Sequence, residues 1–456
     1  MLTYELKKSP GVPLYEALYR CIRADILSGA LAPGTKLPSK RALAANLKVS
    51  KITVEGAYDQ LLAEGYLRSV EKVGYFVEAT DHPIPTAHIP APAPRNTDAP
   101  LLDLTGGGTV RFPFSVWSRL QRQVMLDYGQ QLLHPLPNRG IDELRQAIAD
   151  HLADFRGLHV DPEHILIGAG TDFLYNLLIQ LLGRDKVYAV EEPGYGKIRK
   201  IYAAGGVTCI SASMDSFGVR PEALEHAQVL HISPSHHFPT GLVTPVNRRQ
   251  ELLDWAAQAP DRYIIEDDYD SEFRFAAHPM PAMQSMDRRE RVIYMNTFSR
   301  SLAPSIRISY MVLPGPLMAA FQETLGFYSC TVPSFEQYTL ARFLEQGHFE
   351  KHINRMRKAY RATRNRLMEL IADCPLSERL TIQEENAGLH FLLTVNTALS
   401  GEELVARCQA AGIRIQTLAG FYHQDCPHDA HRTLVVNYAG LRDEDLDKLE
   451  QILAAL

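Results

Sequence analysis

The sequence predicts an α/β protein in two unequal parts: a small helical head closed by a hairpin, and a larger body built on a mainly parallel sheet. Three observations carry this. Residues 1–78 hold three short amphipathic helical stretches and then two aromatic-rich strand stretches. Residues 79–100 hold six prolines and few bulky side chains. From residue 101 to 456, short apolar runs alternate with helical stretches, the pattern of a parallel sheet covered by helices.

The totals agree with that division. A chain of 456 residues has room for two or three domains, and its 46% apolar content is ordinary for a globular protein. The whole chain carries −6, but residues 1–78 hold 11 Lys/Arg against 8 Asp/Glu, so the head is +3 and the remainder −9. A basic head on an acidic body suits contact with phosphates. The six cysteines are scattered without a C-x-x-C pair, which reads as reduced thiols rather than a disulfide framework. No apolar stretch approaches the ~20 residues of a membrane span. The N-terminus lacks the apolar run of a signal peptide. The expectation is a soluble cytoplasmic protein with no membrane partner.

In the head, Leu14, Leu18, Ile22 and Ile26 recur at spacing four and stop at Ser28-Gly29. Ala32-Pro33-Gly34 makes a turn. Ser39 is placed to cap a second helix with Leu43 and Leu47 inward. Ser50 is placed to cap a third with Val54, Tyr58 and Leu61 on one face. Tyr66–Arg68 and Tyr75–Val77 follow as two strands joined through Lys72-Val73-Gly74. The proline-rich stretch 79–100 cannot bury apolar surface; at ~3.1 Å per residue it would span roughly 70 Å if fully extended. In the body, HILIGAG, KVYAVEEPGY, AQVLHISP, RYIIEDDYD and RVIYMNTFSR read as strands. From about residue 331 long helices dominate, and FLLTVN and TLVVNYAG supply strands of a smaller α/β domain.

Helix, turn, helix and hairpin outline a winged helix-turn-helix, whose third helix enters the major groove of double-stranded DNA. Ser50, Lys51 and Thr53 stand at the start of that helix. Lys51 suits guanine acceptors or phosphate, and Ser50 with the helix N-terminus suits phosphate oxygens. Arg41 is placed to clamp the backbone and Lys72 to reach an adjacent groove or phosphates. The stretch from Pro13 to Val77, with LSGALAPGTKLPS and AEGYL, resembles the winged helix of the GntR family. The resemblance implies DNA contacts at Arg41, Lys51, Thr53 and the Lys72–Gly74 wing. Glu55 departs from the fatty-acid-responsive members, which favour a basic residue there.

The body carries, in order, GAGTDFLYNLL, EEPGYGKIR, SPSHHFPTG, IIEDDYDSEF and TFSRSLAPSIRISYMVLP. These resemble the pyridoxal-phosphate-dependent aminotransferases of fold type I, and the whole chain resembles the MocR/GabR regulators, which fuse that fold to a GntR head. The resemblance implies a homodimer, often head-to-tail, and a site for pyridoxal 5'-phosphate or a related vitamer. Ala169-Gly170-Thr171, opening a helix, offers backbone N–H groups to the phosphate. Arg307 matches the phosphate-binding arginine, and Ser299 adds a hydroxyl. Asp267 matches the carboxylate at the ring nitrogen, Tyr269 the partner of the ring hydroxyl, and Tyr195 the aromatic stacked on the ring.

One departure outweighs the rest. The family reads T-F-S-K where this chain reads Thr297-Phe298-Ser299-Arg300, and that lysine forms the Schiff base and shuttles the proton in transamination. A Schiff base needs an unprotonated amine, whereas guanidinium is always charged and is no nucleophile. The next lysine onward in sequence is Lys351. Phe238 stands where amino-acid aminotransferases carry Asn before P-T-G. Their carboxylate-binding Arg falls near Val435, with Arg432 out of register. The reading is a DNA-binding regulator that senses a small molecule, with no catalytic residue and any vitamer held without a covalent bond. Its rivals are an active aminotransferase with an appended head and a regulator with a vestigial pocket. His423, Cys426, His428 and His431 fit no standard zinc spacing and read as a solvated loop, so no metal is assigned.

Overall fold

The computed structural model describes all residues except 1, 5, 7–12, 80–101, 107–110, 274–279, 384–387, 425 and 455–456. The proline-rich linker expected at 79–100 therefore falls, but for Ala79, outside the described residues. The chain divides into two compact units, residues 1–96 and 97–456.

In the first unit, helices Leu14–Leu27, Lys40–Leu47 and Lys51–Ala63 precede an antiparallel hairpin of Leu67–Val70 and Gly74–Val77. Leu18, Ile22, Leu43, Val54, Tyr58 and Leu61 meet in one core. Both expected caps form: Ser39 Oγ accepts from the Ala42 N–H and Ser50 Oγ from the Thr53 N–H, each at 3.1 Å. The strands run up to two residues nearer the wing tip than their aromatics suggest, because Val70 and Gly74 also pair and Lys72 turns the corner at φ +61°.

The second unit is built on an eight-stranded sheet. Its spatial order is Ile165–Gly168, Ser309–Val312, Val292–Thr297, Tyr263–Asp267, Val229–Ile232, Val187–Glu192, Thr208–Asp215 and Gly218–Val219. The five central strands from Val292–Thr297 to Thr208–Asp215 are mutually parallel; Ser309–Val312 runs against both of its neighbours, as does the edge strand Gly218–Val219 against its one. Apolar side chains point to both faces: Ile293 and Met295 join a core with helix Thr171–Leu182, while Tyr294 joins one with helices Asp142–Arg156, Ser334–Glu345 and His348–Asp373. That double burial makes these strands near-continuous apolar runs. An antiparallel sheet of Leu380–Gln383, His390–Val395, Thr433–Asn437 and Gln416–Thr417 forms the smaller C-terminal α/β part. Among the described residues, no helix is long and apolar enough to cross a membrane.

Candidate functional site

The carboxyl ends of the parallel strands open into a cavity of about 310 Å³, where ligands bind in open α/β sheets. Strand Tyr263–Asp267 delivers Asp267 and Tyr269, strand Val292–Thr297 delivers Ser299 and Arg300, and strand Val187–Glu192 delivers Tyr195. Gly170, Thr171 and Arg307 line the same cavity, and Ala169 adjoins it through its carbonyl, which accepts from Arg307 Nη2 at 3.3 Å. The structure thus brings together every residue that the sequence placed at the vitamer site.

The turn before helix Thr171–Leu182 shows why glycine is needed there. Gly170 has φ +89°, and a Cβ on it would lie 2.4 Å from Arg307 Nη2. Asp267, 5% exposed, accepts from the Tyr175 hydroxyl at 2.5 Å through Oδ2, and His231 Nε2 lies 3.4 Å from the same oxygen. The other His231 nitrogen lies 2.6 Å from the Tyr202 hydroxyl. Burial, with the Asp267 charge next, holds the Tyr175 phenol well above its ordinary value, so it stays a donor. Asp267 Oδ1 is buried with no hydrogen-bond partner among the described residues. Tyr269 lies 3.3 Å from His236 Nδ1, which also pairs with Asp270 at 2.7 Å. Burial, then Asp270, raises its phenol well above the usual range. Ser299 N–H bonds to Thr297 Oγ1, shaping the turn that presents Arg300 to solvent within the cavity.

In the head, Arg41, Ser50, Lys51 and Lys72 are exposed, and Thr53 and Gly74 half-buried. Ser50 Oγ and Thr53 Oγ1 lie 2.8 Å apart, so the two hydroxyls that face DNA in this reading also stiffen the first turn of the helix. Glu55 pairs within the head instead: its carboxylate lies 3.3 Å from Lys40 Nζ, and Asp59 lies 3.0 Å from the same nitrogen.

The family of bacterial regulatory proteins called gntR matches residues 14–77, and the family of aminotransferases class I and II matches residues 105–453. The HTH-type transcriptional regulator YdeL of Bacillus subtilis is 37% identical over 453 residues, covering 98% of this chain and 97% of its own. The probable rhizopine catabolism regulatory protein MocR of Rhizobium meliloti is 32% identical over 96% of this chain and 92% of its own length. This chain is a MocR-type regulator of the GntR family. The pyridoxine biosynthesis regulator PdxR of Corynebacterium glutamicum is 32% identical over 88% of this chain and 87% of its own. Among solved structures, a kynurenine aminotransferase of Pyrococcus horikoshii in complex with PMP superposes with TM-score 0.65 at 24% identity, covering 78% of this chain and 91% of that one, a likeness of fold.

Several cavity residues of this MocR-type regulator are not evident in its sequence. No lysine follows Arg300 in sequence before Lys351, but folding brings in one from earlier in the chain, because Lys197 lines the cavity. It stands two residues after Tyr195, in the first turn of helix Gly196–Ala204, and its ammonium lies 2.7 Å from Asp172 Oδ2. Glu191 also lines the cavity; burial lifts its carboxyl to about 8, against a hydrogen bond from the Ser233 N–H that lowers it. Asp172 and Lys197 each lie within two residues of a predicted site residue, Thr171 and Tyr195, which was the available signal. The loop with His423, Cys426, His428 and His431 is mostly exposed. Among the described residues no group of three or more ligating side chains is placed to hold a metal.

Proposed function

We propose that this regulator senses a phosphorylated vitamer, or an amine or amino-acid-like compound, held non-covalently in its body, and that it does not transaminate. One observation carries the reading: Arg300 stands on the turn after strand Val292–Thr297, inside the cavity, at the position of the expected lysine. Its guanidinium is neither a nucleophile nor a proton shuttle, but it suits a planar clamp for carboxylate or phosphate.

The residues present fit a vitamer. Asp267 Oδ1, buried and unpartnered, has the chemistry to accept from a ring N–H, and leaving it unpaired costs free energy that such a donor recovers. That atom disfavours a vestigial pocket. A bound pyridine vitamer supplies an electron sink through its protonated nitrogen. Tyr175 and His231 hold the Asp267 carboxylate in place. Tyr269, kept protonated, suits the ring hydroxyl; the half-exposed Tyr195 suits the ring face; Arg307, Ser299 and the Ala169–Thr171 turn suit the ester. The head binds double-stranded DNA, in this reading as a homodimer on paired half-sites. Phe114, Leu126, Leu133 and Phe327, each at least 74% exposed, offer apolar surface on the body for a second copy.

The test is covalent capture. Wild-type protein incubated with pyridoxal phosphate and reduced with borohydride yields no adduct at position 300 by peptide mass mapping, whereas Arg300→Lys gains one there. Wild-type protein that transaminates amino acids at ordinary enzyme rates overturns the reading, and an Arg300→Lys protein that takes up no pyridoxal phosphate favours the vestigial pocket.

A further inference from the structure

The cavity assigned above to a vitamer has a built-in anion at its phosphate end. This inference rests on that assignment for the identity of the ligand. Asp172 Oδ2 lies 2.7 Å from Lys197 Nζ and 3.5 Å from Arg307 Nη2. One carboxylate oxygen therefore bridges two cations from two different segments, helix Gly196–Ala204 and the turn before strand Ser309–Val312, and all three residues line one cavity. Gly170 fits against the Arg307 guanidinium too closely to admit a Cβ, and the Ala169 carbonyl accepts from it, so that cation is held at the mouth of the turn expected to receive the ester.

An acid in the first turn of a helix also complements the helix dipole, and on that ground alone Lys197 would be its ordinary surface partner. The dipole does not explain why a second cation, Arg307, approaches the same oxygen. The arrangement has the charge pattern of an occupied anion site, with the chain's own carboxylate in the ligand's place. The three side chains are 34–51% exposed, so the ion pairs are solvated and weak, and an ester with two charges and three acceptor oxygens outcompetes one carboxylate for them. Once displaced, Asp172 remains beside the phosphate as a like charge.

We propose that Asp172 competes with a ligand's phosphate for the cations at this end of the pocket, and that Lys197 joins Arg307 as a second cation for the ester. Asp172 thereby sets how much phosphorylated ligand is needed to fill the pocket and keeps its binding readily reversible. Lys197 adds selectivity for phosphorylated over unphosphorylated compounds.

The experiment titrates the full-length protein with pyridoxamine 5'-phosphate, with pyridoxamine and with inorganic phosphate, by calorimetry and thermal shift. Asp172→Asn is expected to tighten pyridoxamine 5'-phosphate about 3- to 10-fold, the effect of removing one partly screened like charge. Lys197→Met is expected to weaken it by a similar factor. Pyridoxamine should bind all three proteins alike, and Asp172→Glu, which keeps the carboxylate, should behave as wild type. If Asp172→Asn leaves pyridoxamine 5'-phosphate unchanged, or shifts pyridoxamine equally, the inference is overturned while the vitamer assignment stands. If no vitamer binds any variant but inorganic phosphate stabilises Asp172→Asn more than wild type, the gated cation pair stands and the vitamer assignment falls. Absence of both effects removes both.

Discussion

Glu191 enters the cavity from the end of strand Val187–Glu192, and burial lifts its carboxyl from an ordinary 4.5 to about 8. Because the folded value lies above the unfolded one, the folded chain holds a proton that the unfolded chain lacks between those two values. The contribution to stability is full below about 4.5 and is lost as pH rises through 8. Holding that proton is worth on the order of a few kcal/mol. Glu272, also buried and raised to about 8, titrates in the same window, and burial raises Glu266 as well, so the wild-type slope reports these carboxyls together. Glu191→Gln separates them: its melting temperature should match wild type near pH 5 and exceed it near pH 9, and parallel pH profiles for the two proteins would sink the assignment. Single residues of this kind were the least legible in the sequence. Asp267, Tyr269 and Arg307 stood out because a family motif surrounds each. Glu191 and Lys197 belong to one such motif, EEPGYGKIR, but only folding shows that their side chains face the cavity. No period in so short a turn announces that direction.

Capping decides more at the next scale up. Helix Lys51–Ala63 begins where Ser50 caps the Thr53 N–H, and this S-x-x-T start is readable without coordinates because the chemistry is local. The cap also fixes which side chains lead: Lys51 and Ile52 stand exposed at the first turn, Ile52 at 78%. Lys40 is paired with Glu55 and Asp59, whereas Lys51 stands exposed in the first turn of this helix. Lys51→Ala should therefore weaken specific DNA binding by about 1–3 kcal/mol. In fluorescence titrations against operator and scrambled duplex, loss on the operator should exceed loss on the scrambled sequence; equal losses would reduce Lys51 to a phosphate contact. Strand direction was less legible than helix starts. Ser309–Val312 is not among the strands expected from the sequence, and nothing in SYMV distinguishes an antiparallel member from its parallel neighbours. Thr208–Asp215 is illegible in the sequence for a different reason, since a half-polar strand at the margin of a sheet has no apolar run to show.

Across the whole chain, the two units keep separate cores. The head cluster that contains Leu18, Ile22, Tyr58 and Leu61 draws only on residues of the first unit, and the three remaining clusters draw only on the second. The proline content of 79–100 predicts such a division, because a stretch with few bulky side chains is poorly suited to knit two cores into one. Separate cores predict separate unfolding. Leu61 is fully buried, and truncating such a leucine to alanine costs about 2–5 kcal/mol. In a domain as small as the head, that is a large share of the total, since whole domains are stable by only about 5–15 kcal/mol. Leu61→Ala should lower one calorimetric transition and weaken operator binding at temperatures where that transition has begun. The second transition, and the affinity of the body for pyridoxamine 5'-phosphate at a lower temperature, should stay at their wild-type values. A single transition that moves as one, or a body that loses its ligand together with the head, would mean that the two units share their stability and that the boundary inferred from the prolines is misplaced.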